Sequence, residues 1–147
     1  MKLPKQSFLA LAAIGWVDGS LQRIEATGLL RAAKEAGLKG KDYDAVEQAT
    51  KKALTLDDVD VGEMSAFDQL LTYALAAWLS QVDGVISPSE RETLAKLGER
   101  LGLAEALRVR ATAAANDIAC LPGGGRPERY DFQALVLRLR ERLPQVK

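Results

Sequence analysis

Histidine is absent from the 147 residues, and Cys120 is the only cysteine. These absences remove Ser-His and Cys-His nucleophile–base pairs, zinc sites built from His and Cys clusters, and any disulfide within the chain. They make a reducing, cytoplasmic setting the natural expectation. Aromatic residues are scarce at 5%, which leaves little to line a sugar-binding cleft or to build strands. An excess of either charge sign is missing as well. Twenty basic and 20 acidic residues cancel, so bulk charge predicts neither nucleic-acid binding nor membrane attraction. No apolar run reaches the ~20 residues of a membrane span. Lys2 and Lys5 ahead of the apolar stretch Phe8 to Ile14 look like the start of a signal peptide. An equivalent apolar stretch, Tyr73 to Val82, recurs in mid-chain, so both are read as core helices.

What is present is one unit stated twice. Val17-Asp18-Gly19-Ser20-Leu21 returns 65 positions later as Val82-Asp83-Gly84-Val85-Ile86, and the match continues without a gap. Glu25 falls on Glu90, Leu29 on Leu94, Gly37 on Gly102 and Leu38 on Leu103. Each copy reads as an apolar helix, an Asp-Gly turn and an amphipathic helix stopped by Gly-Leu. With 48% apolar residues, rich in Ala and Leu, the composition favours helices.

The expectation is therefore a single all-α domain over 1–147, of about seven helices. Two pseudo-symmetric helical hairpin repeats, at about 5–54 and 64–119, would pack around a pseudo-twofold axis. A C-terminal helical appendage follows at about 126–147. Helices are expected over about 5–16, 22–36, 42–54, 65–81, 104–119 and 130–143. Another begins at Pro88 and runs to Gly102. There Ser87 suits the N-cap, Pro88 the first helical position and Glu90 the third, which together form a capping box. Residues 55–63 read as an acidic connector. Leu121-Pro122-Gly123-Gly124-Gly125 reads as a linker, because it lacks the strand, helix and Lys-Ser/Thr of a P-loop.

The residues with candidate chemistry are Asp18, Glu25, Asp83 and Glu90. In each copy an aspartate in the turn and a glutamate early in the next helix can approach one another. Four carboxylates gathered at one end of the pseudo-dyad would repel unless protons or a cation compensated them. Oxygen ligands suit the hard cations Ca²⁺, Mg²⁺ and Mn²⁺. The spacing is not that of an EF-hand. Glu92 could add a ligand in the second copy, but its counterpart is Thr27. Plain helix capping also accounts for Glu90, and a common turn pair for Asp83-Gly84, so both readings stand. Trp16 and Trp78 flank the two turns as core residues. Arg138, Arg140 and Arg142 form a basic face near the C-terminus, opposite in sign to the acids between Asp42 and Asp68. Such a division allows a partner, or a second copy in a homodimer, to dock head to tail.

The stretch from Ala76 through Trp78-Leu79-Ser80-Gln81-Val82-Asp83-Gly84-Val85-Ile86-Ser87-Pro88-Ser89-Glu90-Arg91-Glu92 to Leu101-Gly102-Leu103 resembles the signature of TerB-like domains. These are found in the tellurite-resistance TerB family and at the N-terminus of membrane-anchored DjlA-type co-chaperones. The first copy, from Leu11 to Leu38, is similar but has Gln22-Arg23-Ile24 where the second has Ser87-Pro88-Ser89. The resemblance covers about residues 5–119. It implies an all-helical, non-enzymatic bacterial module for tellurite or other stress. Such a module works through protein partners in complexes at the inner face of the membrane. It also implies that the acidic turn residues Asp18, Glu25, Asp83 and Glu90 bind metal. Two rivals remain open from the residues themselves. One is a small metal-dependent carboxylate enzyme acting on a phosphorylated or metal-bound substrate. The other is a purely structural interaction domain whose acids only cap helices.

Overall fold

A computed structural model describes residues 5–16, 23–60, 62, 64–80, 88–119 and 132–143, with the side chains of 23–25, 79–80, 90, 119, 132–135 and 142 excepted. Among them are seven α-helices and no strand. They are α1 (Lys5–Gly15), α2 (Arg23–Glu35), α3 (Gly40–Lys51), α4 (Ala66–Ser80), α5 (Pro88–Arg100), α6 (Glu105–Ala119) and α7 (Phe132–Arg142). None of these helices is long and apolar enough to cross a membrane.

The hydrophobic pattern decides which helices lie at the centre. In α1, residues Phe8, Ala10, Leu11, Ala12, Ala13 and Ile14 are all buried, and in α4 every residue from Leu70 to Trp78 is buried. A helix apolar on all sides must be enclosed by other helices, and α1 and α4 pack on each other as the central pair. Their alanines let the backbones approach. The outer helices carry a single stripe. Leu29, Ala32 and Ala33 of α2, with Ala36 just past its end, face inward, as do Ala111, Ala114, Ala115 and Ile118 of α6. Both sets follow the i, i+3, i+4, i+7 spacing of one helical face.

Several helix limits recur at the 65-residue interval. Residues 23–35 of α2 correspond to 88–100 of α5, and α3 and α6 begin at the equivalent positions 40 and 105. The helix stops agree in detail. Gly37 and Gly102 both have positive φ, of 89° and 70°. The Gly37 amide donates to Lys34 O and the Leu38 amide to Ala33 O; Gly102 donates to Glu99 O and Leu103 to Gly98 O. This is the paired carbonyl capping that glycine at C′ makes possible.

Two expectations shift. The third helix starts at Gly40 and stops at Lys51 rather than spanning 42–54. Beyond it the chain turns extended, which puts Leu56 in the core and packs Leu54 against it. A 3-10 turn over Leu56–Asp58 follows, in which the Thr55 amide donates to Asp58 Oδ2 at 2.9 Å. Ser65 then caps α4, accepting the Asp68 amide on its hydroxyl at 3.1 Å. The last helix lies outside both copies in sequence, yet it is not peripheral to the core. Val136, Leu139 and Leu143 are buried, and α7 packs on α2, α4 and α6.

Candidate functional site

The four predicted carboxylates fall at the edge of what is described. Asp18 and Asp83 lie outside the described residues, and for Glu25 and Glu90 only the backbone is described. That backbone is informative. Glu25 is the third residue of α2, and Glu90 is the third residue of α5. A negative charge in the first turn of a helix is favoured by the unpaired amides and the positive end of the helix dipole there. Pro88 opens α5, as the capping pattern requires. Among the described residues, no three of His, Cys, Asp and Glu gather closely enough to hold a metal ion.

The tryptophans expected beside the turns differ in environment. Trp78 is buried in α4. Trp16, half-buried at the end of α1, donates its indole N–H to Ala49 O at 2.7 Å, tying α1 to the last turn of α3. Trp16 also walls a cleft of about 570 Å³ between α1, residues 53–58 and α5. The charges there are already engaged. Arg100 reaches Asp57 at 3.3 Å and donates to Val59 O at 3.0 Å, while Lys96 pairs with Glu92 at 3.7 Å. The acidic connector is thus partly compensated by a cation from α5, which the charge count along the sequence does not reveal.

A larger groove, of about 940 Å³, opens between α5 and α6 above Tyr73 of α4. Its existence follows from differences between the copies. In the first, α2 packs on α3, with Leu30 and Tyr43 against the core and Lys34 stacked 5.8 Å over the Tyr43 ring. At the equivalent positions the second copy has Ala95 for Leu30, Arg108 for Tyr43 and Gly98 for Ala33. A leucine becomes alanine and a ring becomes a cation, so the space is left open.

Arg108 is seated in this groove with care. A β-carbon on Gly98 would collide with Arg108 Cδ and come within 3.2 Å of Tyr73 Cε2, so the glycine makes room for the arginine stem. Its Nε donates to Leu103 O at 3.1 Å. Sequence reasoning about the four carboxylates passed over this groove. The signal that reveals it is the list of places where the two copies disagree.

No protein family, no curated protein and no solved structure matches this chain.

Proposed function

We propose that this chain is a non-enzymatic helical module of the TerB-like kind. It acts through a protein partner in a tellurite or related stress response, in the cytoplasm or at the inner face of the membrane. Its two Asp-Gly turns hold a divalent cation, Ca²⁺, Mg²⁺ or Mn²⁺, on Asp18, Glu25, Asp83 and Glu90. The observation that supports this reading is the common register of α2 and α5, in which Glu25 and Glu90 take the same third position. An aspartate seven residues ahead of each glutamate completes two matched oxygen donor pairs. In this reading the cation fixes the starts of α2 and α5 and so sets the shape of the partner surface.

The test is a thermal melt followed by tryptophan emission, first with EDTA and then with each ion. A ligand at 100 times its dissociation constant stabilises the folded state by about 2.7 kcal/mol, which raises Tm by roughly 5–11 °C in a domain of this size. The shift should vanish in Asp83→Asn and persist in Asp60→Asn, a change in the acidic connector. Equal losses in the two variants would sink the metal reading.

The third-residue position of the glutamates also favours a second reading, in which they serve only as caps. Glu90→Gln would then leave every ion response unchanged. It would lower stability by about 0.3–1 kcal/mol, the scale of a charge at a helix N-terminus.

A further inference from the structure

The groove between α5 and α6 has an apolar middle and a positive charge toward each end. Leu94 and Ala95 line it from α5, and Val109 and Ala113 from α6. Val109 is 61% exposed, a large apolar side chain left to water. Arg91 stands at one end, exposed and without an ion pair among the described residues. Arg108 stands toward the other, beside Gly98. Arg91 and Gly98 are seven residues apart on α5, so the backbone of Arg91 and the point where the Arg108 stem crosses α5 lie about 10 Å apart along the helix. Glu105, one turn before Arg108 on α6, brings a negative charge to that same end.

We infer that this groove receives an amphipathic helix of a partner protein. That helix carries acidic residues at i and i+7 and apolar residues at i+3 and i+4. A helix advances 1.5 Å per residue, so acids seven apart are spaced by about 10 Å, the rise along α5 from Arg91 to the Gly98 crossing of Arg108. The apolar residues between them fall on the same face and meet Val109, Leu94 and Ala113. Glu105 favours a lysine or arginine one turn beyond the second acid and disfavours a third acid there. The seat of Arg108 suits recognition. Its stem is held against Gly98 and its Nε is engaged by Leu103 O, so less side-chain freedom is lost on binding than for a free surface arginine.

This assignment rests on the reading of the chain as a partner-binding module, but not on the cation. The probe is a fluorescein-labelled designed helix with Glu at i and i+7, Leu at i+3 and i+4 and Lys at i+11, titrated with the full chain and followed by anisotropy. A second peptide replaces both Glu residues by Lys. The first peptide should bind saturably, more weakly as salt rises, and at least about ten-fold more tightly than the second. Arg91→Glu and Val109→Glu, both at exposed helix positions, should each weaken binding about ten-fold or more, the scale of an interface hot spot. Leu137→Glu, which alters the other large apolar side chain exposed among the described residues, on α7, should leave it unchanged.

Absence of saturable binding, or equal binding of both peptides, overturns the assignment. Loss on Leu137→Glu alone overturns the groove while leaving a partner-binding module with its surface on α7. Sedimentation velocity supplies the remaining arm. A dimer of the chain that Val109→Glu dissociates would make a second copy the occupant and overturn the partner helix. A flat ion response in the melt, with the groove binding as expected, would remove the cation and leave the groove in place.

Discussion

The hydroxyls of Thr72 and Ser7 are hydrogen-bonded to each other, Oγ1 to Oγ at 2.8 Å, in the interface of α1 and α4, and these two residues are themselves 65 positions apart. Equivalent positions that touch are what a local twofold between two like helices would produce. Both side chains are fully buried, and the only other polar atoms that the described bonds give them are the Asp68 carbonyl, 2.7 Å from Thr72 Oγ1, and the Met64 thioether, which accepts from Ser7 at 3.8 Å. The hydroxyls therefore depend on each other.

Replacing Thr72 by Val should cost about 1–3 kcal/mol, because a buried Ser7 hydroxyl is left with sulfur as its acceptor. Ser7→Ala in the same chain should add less than it costs alone. Urea denaturation of the two single variants and the double variant gives the coupling, expected at roughly 0.5–3 kcal/mol for residues in contact. Strict additivity would show that the two hydroxyls do not act as a pair.

Gly37 and Gly102 have positive φ and nothing within 4 Å of an added β-carbon. Alanine at either position meets backbone strain but no clash, at about 1–2 kcal/mol. The two losses should be alike, since the two helix stops share their hydrogen bonds. A large inequality in denaturation midpoints would mean that the stops differ in ways the backbone bonds do not record.

Gly98 should behave in the opposite way. Its obstacle is a neighbour rather than its own conformation, so Gly98→Ala destabilises the wild-type chain. In an Arg108→Ala background the same change becomes neutral or gains up to about 1 kcal/mol, the advantage of alanine over glycine inside a helix. A loss of equal size in both backgrounds would place the obstacle at Tyr73 instead.

Arg100 and Asp57 form an ion pair in which Asp57 is almost fully exposed. Asp57→Asn should change stability by less than about 0.5 kcal/mol, as exposed pairs usually do. Arg100→Ala should cost more, about 1 kcal/mol, because the hydrogen bond to Val59 O is lost with it. Denaturation curves for the two variants separate the charge from the carbonyl contact.

Much of the helical layout was legible in the sequence because its punctuation is strong. Pro88 marks the start of α5, Gly37 and Gly102 mark the ends of α2 and α5, and the 65-residue interval carries the limits of α2 onto α5 and the start of α3 onto that of α6, although α6 runs three residues beyond the equivalent of the α3 end. The end of α3 was not legible. Ala53-Leu54 continues an acceptable helical pattern, whereas the chain turns extended after Lys51 and carries Leu56 into the core, a tertiary placement that the local pattern does not specify. The burial of α7 was available from the spacing of Val136, Leu139 and Leu143 but was outweighed by the arginines between them. For the candidate site, the sequence predicts the helix position of Glu25 and Glu90 but not whether the four side chains meet, which depends on turn geometry. The groove is invisible to any search for motifs. It arises from Leu30 giving way to Ala95 and Tyr43 to Arg108, a subtraction that no catalogue of functional residues registers.

The way the two halves are clasped has a consequence for a severed chain. Lys51, Lys52 and Ala53 are exposed, so trypsin can cut between the copies without entering the core. The piece that begins after the cut keeps α4 and α5 against α1, and its α7 lies across α2 of the other piece. Each fragment is thus gripped twice by its complement. The nicked protein should travel as a single species, fall apart only in denaturant, and reassemble when the two fragments are mixed.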